Sequence, residues 1–194
     1  YNTSPYLPNC SFYRNPLYLD IEQIEDIRHS RCAQAFLKSS KVQSRLAEFR
    51  KSEHVEYEKV YAIKLRFLKL AFREFLKEYR QKGPRAADFK AFLEAEGELL
   101  DKYALYSAID ETIHKSNRDI WIWPDWPAEF KDLKSPQIAA FYRAHWRLIL
   151  FYKYIQWQVD LQLSEAQRFA RAQGMAIGLY HDLALATDRC GSDL

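Results

Sequence analysis

Apolar residues recur at intervals of three and four along most of the chain, a spacing that predicts amphipathic helices. Asp20 resembles a helix N-cap, because Gln23 follows three residues later as in a capping box. Gly83 and Pro84 end the longest apolar stripe, and Gly97 interrupts the next one. The pattern predicts roughly six or seven helices, over residues 20–39, 41–51, 53–81, 85–95, 98–115 and 137–173, with a break in the last near 143–147.

Three stretches depart from the helical pattern, and one of them is a linker rich in tryptophan and proline over residues 117–127. Residues 1–19 are punctuated by proline and asparagine, which predicts an irregular segment. Residues 176–180 form a short apolar run bounded by Gly174 and by His181-Asp182, and they predict a β-strand. One strand with no neighbour, in a chain that starts in what reads as a loop, predicts a piece of a larger α/β protein with extended, poorly anchored ends.

Composition narrows the class of protein. Hydrophobic residues make up 48% of the chain and charged residues 28%, the balance of a globular protein. A net charge of +3 is too small to indicate nucleic-acid binding. No apolar run approaches the roughly 18 residues that a membrane span needs. Three widely spaced cysteines without a C-x-x-C pair favour a reduced, cytoplasmic protein and indicate no metal or other cofactor.

Two groups of residues could carry chemistry, and each has a structural alternative. Glu111 and His114 have the spacing of a di-iron motif, but the chain has no second such pair, so an ordinary helix surface is the favoured interpretation. Trp121, Trp123 and Trp126 could form a platform for sugar rings. A loop pinned by burying these rings against helices is the favoured alternative.

No nucleophile elbow, phosphate loop or dinucleotide fingerprint occurs in the chain. Asp182 and Asp188 follow the predicted strand, where acidic residues of a barrel reach an active site, although aspartate is also common in loops for turn chemistry alone. The residues by themselves therefore predict a mostly helical unit without a self-sufficient catalytic set.

The chain also contains four segments that are distinctive when read together: Asn2-Thr-Ser-Pro-Tyr6 with Phe12-Tyr-Arg-Asn-Pro-Leu-Tyr-Leu-Asp20, Tyr103-Ala-Leu-Tyr-Ser-Ala-Ile109 with Trp123-Pro-Asp-Trp126, Phe151-Tyr-Lys-Tyr-Ile-Gln-Trp157, and Ile177-Gly-Leu-Tyr-His-Asp-Leu-Ala184. In order and spacing these segments resemble the amylomaltases, the 4-α-glucanotransferases of glycoside hydrolase family 77. The resemblance extends over nearly the whole chain.

This resemblance implies a (β/α)8-barrel enzyme and places the chain just after the second barrel strand, through a large helical insertion, into the third strand. The fold class expected is therefore mainly α, a helical insertion subdomain with one orphan barrel strand near the C-terminus. The expected divisions are an irregular substrate-groove segment over 1–19, the helical insertion over 20–173, and the barrel strand with its truncated loop over 174–194.

The activity implied by the resemblance is transfer of α-1,4-glucan segments between maltooligosaccharides by a retaining mechanism. In such a mechanism an Asp nucleophile and a Glu acid/base lie roughly 5–5.5 Å apart. The family's catalytic residues come from later strands, so no catalytic residue is assigned to this chain and the fragment alone is expected to be inactive. The expected partners are glucans and the rest of the parent barrel, with neither nucleic acid nor membrane.

Four substrate-binding residues are implied by the matching motifs. Tyr6, in Ser-Pro-Tyr, resembles a tyrosine that stacks on glucan at an outer site. Tyr18, in Asn-Pro-Leu-Tyr, resembles a tyrosine that lines the substrate groove, and Asn15 is expected to shape the same loop. Asp182 resembles a position at the base of the donor groove, with a loop-fixing role as the equal alternative.

A second hypothesis comes from a different class: a stand-alone helical module whose aromatic faces dock a protein partner. The predicted strand argues against it, because an interaction module has no use for a strand that ends in an open loop. If barrel neighbours are missing, apolar surface and an open strand edge should be exposed, which predicts self-association or modest stability.

Overall fold

The structure, a computed structural model, describes residues 7–182 and 188–193. These residues are mainly helical, which confirms the pattern-based prediction. None of the helices in these ranges is both long and apolar enough to cross a membrane. The α-helices are α1 (Glu25–His29), α2 (Arg31–Lys38), α3 (Ser40–Lys51), α4 (Tyr57–Gln81), α5 (Pro84–Ser116), α6 (Pro136–Ala144) and α7 (Trp146–Ala172), with 3-10 helices at Pro16–Tyr18, Trp123–Asp125 and Ala128–Phe130.

The first predicted helix is wrong in its bounds, because two short helices replace it. Asp20 does not cap a helix, and its Oδ1 instead accepts a hydrogen bond from the backbone N–H of Glu22 (3.0 Å). Ser30 separates α1 from α2 with extended backbone angles (φ −81°, ψ 109°), and its hydroxyl accepts from the N–H of Ala33 (3.3 Å). A serine hydroxyl that satisfies the start of a new helix competes with continuation of the old one.

Two breaks fall where the sequence predicts them. Gly97 interrupts α5 with φ 58° and ψ −141°, angles that glycine adopts without steric cost. His145, with φ −113° and ψ 20°, separates α6 from α7. Its ring stacks on Phe141 with centroids 4.2 Å apart, so the bend is packed rather than open.

The core lies where α7 packs along α5 and against α4. The middle of α7 is buried on every side, as residues 151–159 show. Phe75 of α4 is at the centre, with ring centroids 5.3 Å from Phe89, 5.1 Å from Tyr154 and 5.2 Å from Trp157. Aromatic residues make up 15% of the chain, and contacts of this kind account for part of that share.

A buried ion pair ties α1, α5 and α7 together. Arg85 donates two hydrogen bonds of 2.7 Å to the carboxylate of Asp26, and Tyr154 OH donates a third to it (2.6 Å). Burial alone would lower the pKa of Arg85, but the hydrogen bonds and charge of Asp26 raise it. The bidentate geometry fixes the orientation of both groups, so the pair holds the three helices in register.

The predicted strand at 176–180 is wrong, since no strand occurs in the described residues. Gly174 and Gly178 have φ values of 88° and 80°, which interrupt a pleated backbone. A strand also needs a hydrogen-bonded neighbour, and here the side chain of Gln167 takes that place: it accepts from Leu179 N–H (2.6 Å) and donates to Ile177 O (3.1 Å).

The prediction of poorly anchored ends is also wrong for the residues described, because the two ends bind each other. Ser192 N–H donates to Asn9 O (2.9 Å), and Asp188 N–H donates to Pro8 O (3.0 Å). Gly191 lies so close to Asn9 that a Cβ there would be 2.2 Å from the Asn9 carbonyl oxygen. Backbone hydrogen bonding therefore replaces the frayed ends expected from the sequence.

Candidate functional site

Residues 14–20, here named the Tyr18 loop, carry two of the predicted binding residues. Asn15 begins its 3-10 helix: the side-chain oxygen accepts from Leu17 N–H (3.0 Å), and Pro16 occupies the first helical position. The Asn15 carbonyl accepts from the N–H of Tyr18 (3.1 Å). Asn15 therefore shapes the loop from within.

Tyr18 and Leu19 are adjacent but face opposite environments. The Tyr18 side chain is 67% exposed, whereas Leu19 is 1% exposed and belongs to the main core. The apolar anchor at Leu19 thus fixes the loop while the Tyr18 ring stays open to solvent. An exposed ring on a fixed backbone is suited to stacking.

Lys64 of α4 holds the middle of the Tyr18 loop. Its Nζ donates to the carbonyl oxygens of Leu17 (2.7 Å) and Leu19 (2.8 Å). Burial lowers the pKa of Lys64, and the nearby charge of Asp20 opposes that shift. The ammonium group therefore donates hydrogen bonds at the end of the 3-10 helix, where carbonyl groups lack partners within the helix.

Both ends of the Tyr18 loop are bound by glutamines of α7. Gln156 accepts from Arg14 N–H (3.2 Å) and donates to Arg14 O (2.9 Å). Gln162 does the same at the other end, accepting from Asp20 N–H (2.9 Å) and donating to Asp20 O (2.8 Å). Each amide satisfies one residue's backbone donor and acceptor together, as a neighbouring strand would.

A cavity of about 160 Å³ lies beside the start of the loop. Glu96 and Asp160 both line it, and Tyr13 OH donates to Glu96 Oε2 (3.0 Å). Burial, together with the negative charge of Glu96, raises the pKa of Asp160. Carboxylates accept hydrogen bonds from hydroxyl groups, and rings pack on C–H faces. The full lining is Phe12, Tyr13, Arg14, Phe92, Glu96, Gln156, Val159, Asp160 and Leu163.

The remaining predicted binding residues are less defined. Tyr6 lies outside the described residues. Asp182 is exposed and follows the segment that Gln167 holds. Gln162 and Gln167 are five residues apart on α7, which corresponds to about 7.5 Å of helix rise. The structure therefore attaches the segments of Tyr18 and Asp182 to one helix.

The carboxylate of the Glu111-x-x-His114 motif is fully engaged in other contacts. Glu111 accepts from Lys69 (2.7 Å), from Tyr152 OH (2.6 Å) and from Lys115. These hydrogen bonds lower the pKa of Glu111 although its burial acts in the opposite direction. No group of three potential metal ligands occurs among the residues described.

The three tryptophans have different environments. Trp126 is buried and stacks near Tyr106, with ring centroids 5.1 Å apart. Trp121 is 67% exposed and lies edge-on to the ring of His114, with ring centroids 5.7 Å apart. Trp123 is partly buried and packs against the main core. Trp123 and Trp126 thus fit the interpretation of a loop pinned by buried rings, while the Trp121 ring is largely exposed.

Sequence reasoning missed the side chains that hold the Tyr18 loop. Gln156 stands within a motif that carries the family resemblance, but nothing in the pattern distinguishes it from a surface glutamine. Lys64 and Gln162 have no local signal either, because their partners lie 45 and 142 residues away in sequence. Only the fold brings these groups to the loop.

Comparisons with known proteins agree with one another. A family model described as 4-alpha-glucanotransferase matches residues 1–194. The 4-alpha-glucanotransferase of Haemophilus influenzae is 29% identical over 98% of this chain and 28% of its own length. That of Mycobacterium tuberculosis is 29% identical over 98% of this chain and 24% of its own. The crystal structure of amylomaltase from Corynebacterium glutamicum matches with a TM-score of 0.69 and 28% identity, over 98% of this chain and 23% of that one. The chain thus spans about a quarter of each relative.

Proposed function

The chain belongs to the 4-alpha-glucanotransferase family, whose model matches it from end to end, and on this premise we propose that it is the part of such an enzyme that helps to bind α-1,4-glucans. One observation carries the proposal: Tyr18 is an exposed ring on a loop that the core, Lys64 and two glutamines hold still. A sugar ring presents a C–H face that packs on such a surface.

The proposed activity belongs to the whole cytoplasmic protein. It transfers glucan segments between maltooligosaccharides by a retaining mechanism, with an Asp nucleophile and a Glu acid/base supplied outside this chain. Within the chain, residues 1–19 contribute to the substrate groove, 20–173 form a helical insertion of the barrel, and 174–194 return to the barrel. Asn15 and Asp182 assist Tyr18 in contacting substrate, as does Tyr6.

The proposed second partner is the rest of the enzyme. Phe169, Ile177 and Tyr180 near the end of α7 are exposed large apolar side chains. Their exposure supports packing against neighbouring parts of a barrel, because large apolar side chains that are exposed in one stretch of the chain favour an interaction surface. In the isolated chain the same residues favour self-association, which size-exclusion chromatography over a range of concentrations measures.

Titration calorimetry of the 194-residue chain with maltoheptaose tests the glucan site. Tyr18→Ala should weaken binding by about threefold to tenfold, the range for loss of one stacked ring. Trp121→Ala is the matched control, since both side chains are 67% exposed. A loss with Trp121→Ala alone would move the site to the tryptophan-containing residues 121–126, and no binding by the unsubstituted chain would refute the proposal.

A further inference from the structure

The helix rise of α7 forces the Tyr18 loop to arch. The two attachment points on the loop, Arg14 and Asp20, are six residues apart, and so are their partners Gln156 and Gln162. Six residues of α-helix rise about 9 Å, whereas six extended residues span about 20 Å. The extended loop would therefore be longer than the distance between its attachment points, and the 3-10 helix at Pro16–Tyr18 shortens it.

The direction of that arch is also fixed from outside the loop. Lys64 reaches in from α4 to the carbonyls of Leu17 and Leu19, and the Leu19 side chain enters the core. With the ends and the middle both bound, Tyr18 is left as the exposed aromatic ring at the top of the loop. Its position is thus determined by α4 and α7 together.

From this arrangement we propose that Gln156 and Gln162, assisted by Lys64, are positioning residues that hold Tyr18 in the orientation in which it meets a glucan. The inference rests on the proposed function. None of the three side chains needs to touch the sugar. Their role is to remove alternative loop conformations, so that ordering the loop does not cost affinity when glucan binds.

A double-mutant cycle tests this role in the 194-residue chain. The measured quantity is the dissociation constant for maltoheptaose, determined by calorimetry for Gln162→Met, Tyr18→Ala and the double variant. Gln162→Met should weaken binding about threefold to tenfold in the original chain and have no effect in the Tyr18→Ala background. The Tyr18 ring NMR signals should shift on glucan addition in the original chain and lose that shift in Gln162→Met.

Gln158→Met is the matched control on the same helix. Gln158 is buried, its Nε2 has no hydrogen-bond partner among the described residues, and its substitution leaves the hydrogen bonds to the Tyr18 loop intact. Lys64→Met removes a different support of the loop. If Gln162→Met folds poorly, Lys64→Met takes its place in the cycle and should weaken maltoheptaose binding by the same factor.

The outcomes separate the inference from the function on which it rests. Equal loss of affinity with and without Tyr18, or no loss while Tyr18→Ala weakens binding, would overturn the positioning role and leave the glucan site standing. An unsubstituted chain that does not bind maltoheptaose would overturn both.

Discussion

Two segments outside the α-helices carry predicted binding residues, and they differ in how firmly the fold holds them. The Tyr18 loop is bound by three side chains from two helices and by the buried Leu19. Residues 175–182 are held by the side chain of Gln167 and, at their start, by a hydrogen bond from Met175 N–H to Ala170 O (3.2 Å), and Tyr180 is 90% exposed. Both segments overlap motifs that resemble the same family.

The difference shows what a substrate-contacting segment needs from its surroundings. Ordering each residue costs about 1–2 kcal/mol of backbone entropy, so a segment is stationary only where enough contacts offset that cost. The Tyr18 loop has them within this chain. Residues 175–182 have exposed apolar side chains instead, consistent with the proposed packing against the rest of the enzyme.

The largest expected effect comes from the apolar anchor of the first segment. Leu19→Ala should lower the free energy of unfolding by about 2–4 kcal/mol, because it leaves a cavity in the core. Leu179→Ala, at a half-buried position in the second segment, should cost about 1 kcal/mol or less. Urea denaturation monitored by circular dichroism measures both, and equal costs would show that the two segments are held alike.

A smaller effect is expected where residues 8–11, which precede the first segment, bond to residues 188–193, which follow the second. Gly191→Ala should destabilise the chain by about 1–2 kcal/mol, since its Cβ would overlap the carbonyl oxygen of Asn9. The amide proton of Ser192, which donates to that oxygen, should also exchange faster with solvent. Unchanged exchange would mean that the second segment does not depend on this pairing.

The smallest effect is a pH dependence of the same pairing. Burial acts to raise the pKa of Asp193, but hydrogen bonds from Cys10 and Ser11 lower it below its ordinary value. A carboxyl with a lowered folded-state pKa adds stability above its ordinary value near pH 3.8, and this is lost as pH falls through the lower value.

The matched control is Asp193→Asn, whose stability relative to the original chain is measured by urea denaturation between about pH 6 and pH 2. The two proteins should differ at pH 6 and converge as the pH falls. A constant difference across this range would show that Asp193 does not titrate with folding.

The long helices could be predicted from sequence because each depends on a local stripe of apolar residues. The interruptions at Gly97 and His145 could be predicted too, the first from the freedom of glycine at positive φ. Tyr18 was identified as a binding candidate by its motif, and the structure adds that its ring is exposed.

Features that depend on distant partners could not be predicted. Ser30 divides the first predicted helix because its hydroxyl caps the start of α2. The spacing of apolar residues does not show that a serine side chain will compete with the helix in this way. Residues 176–180 have the composition of a strand, but no neighbouring strand occurs in the described residues. Gln162 reaches a loop 142 residues away in sequence, a pairing that exists only after the helices have packed.

The hydrogen bonds between residues 8–11 and 188–193 have a topological consequence. The described helices lie between these two stretches, so the chain makes a closed excursion that departs and returns at one place. On the proposed function, these two paired segments are where the chain leaves the rest of the enzyme and returns to it. Closing a long excursion costs little more than closing a short one, since the entropy grows with the logarithm of length. Lengthening or shortening the helical part between the two segments should therefore change the entropy of closing it only slightly.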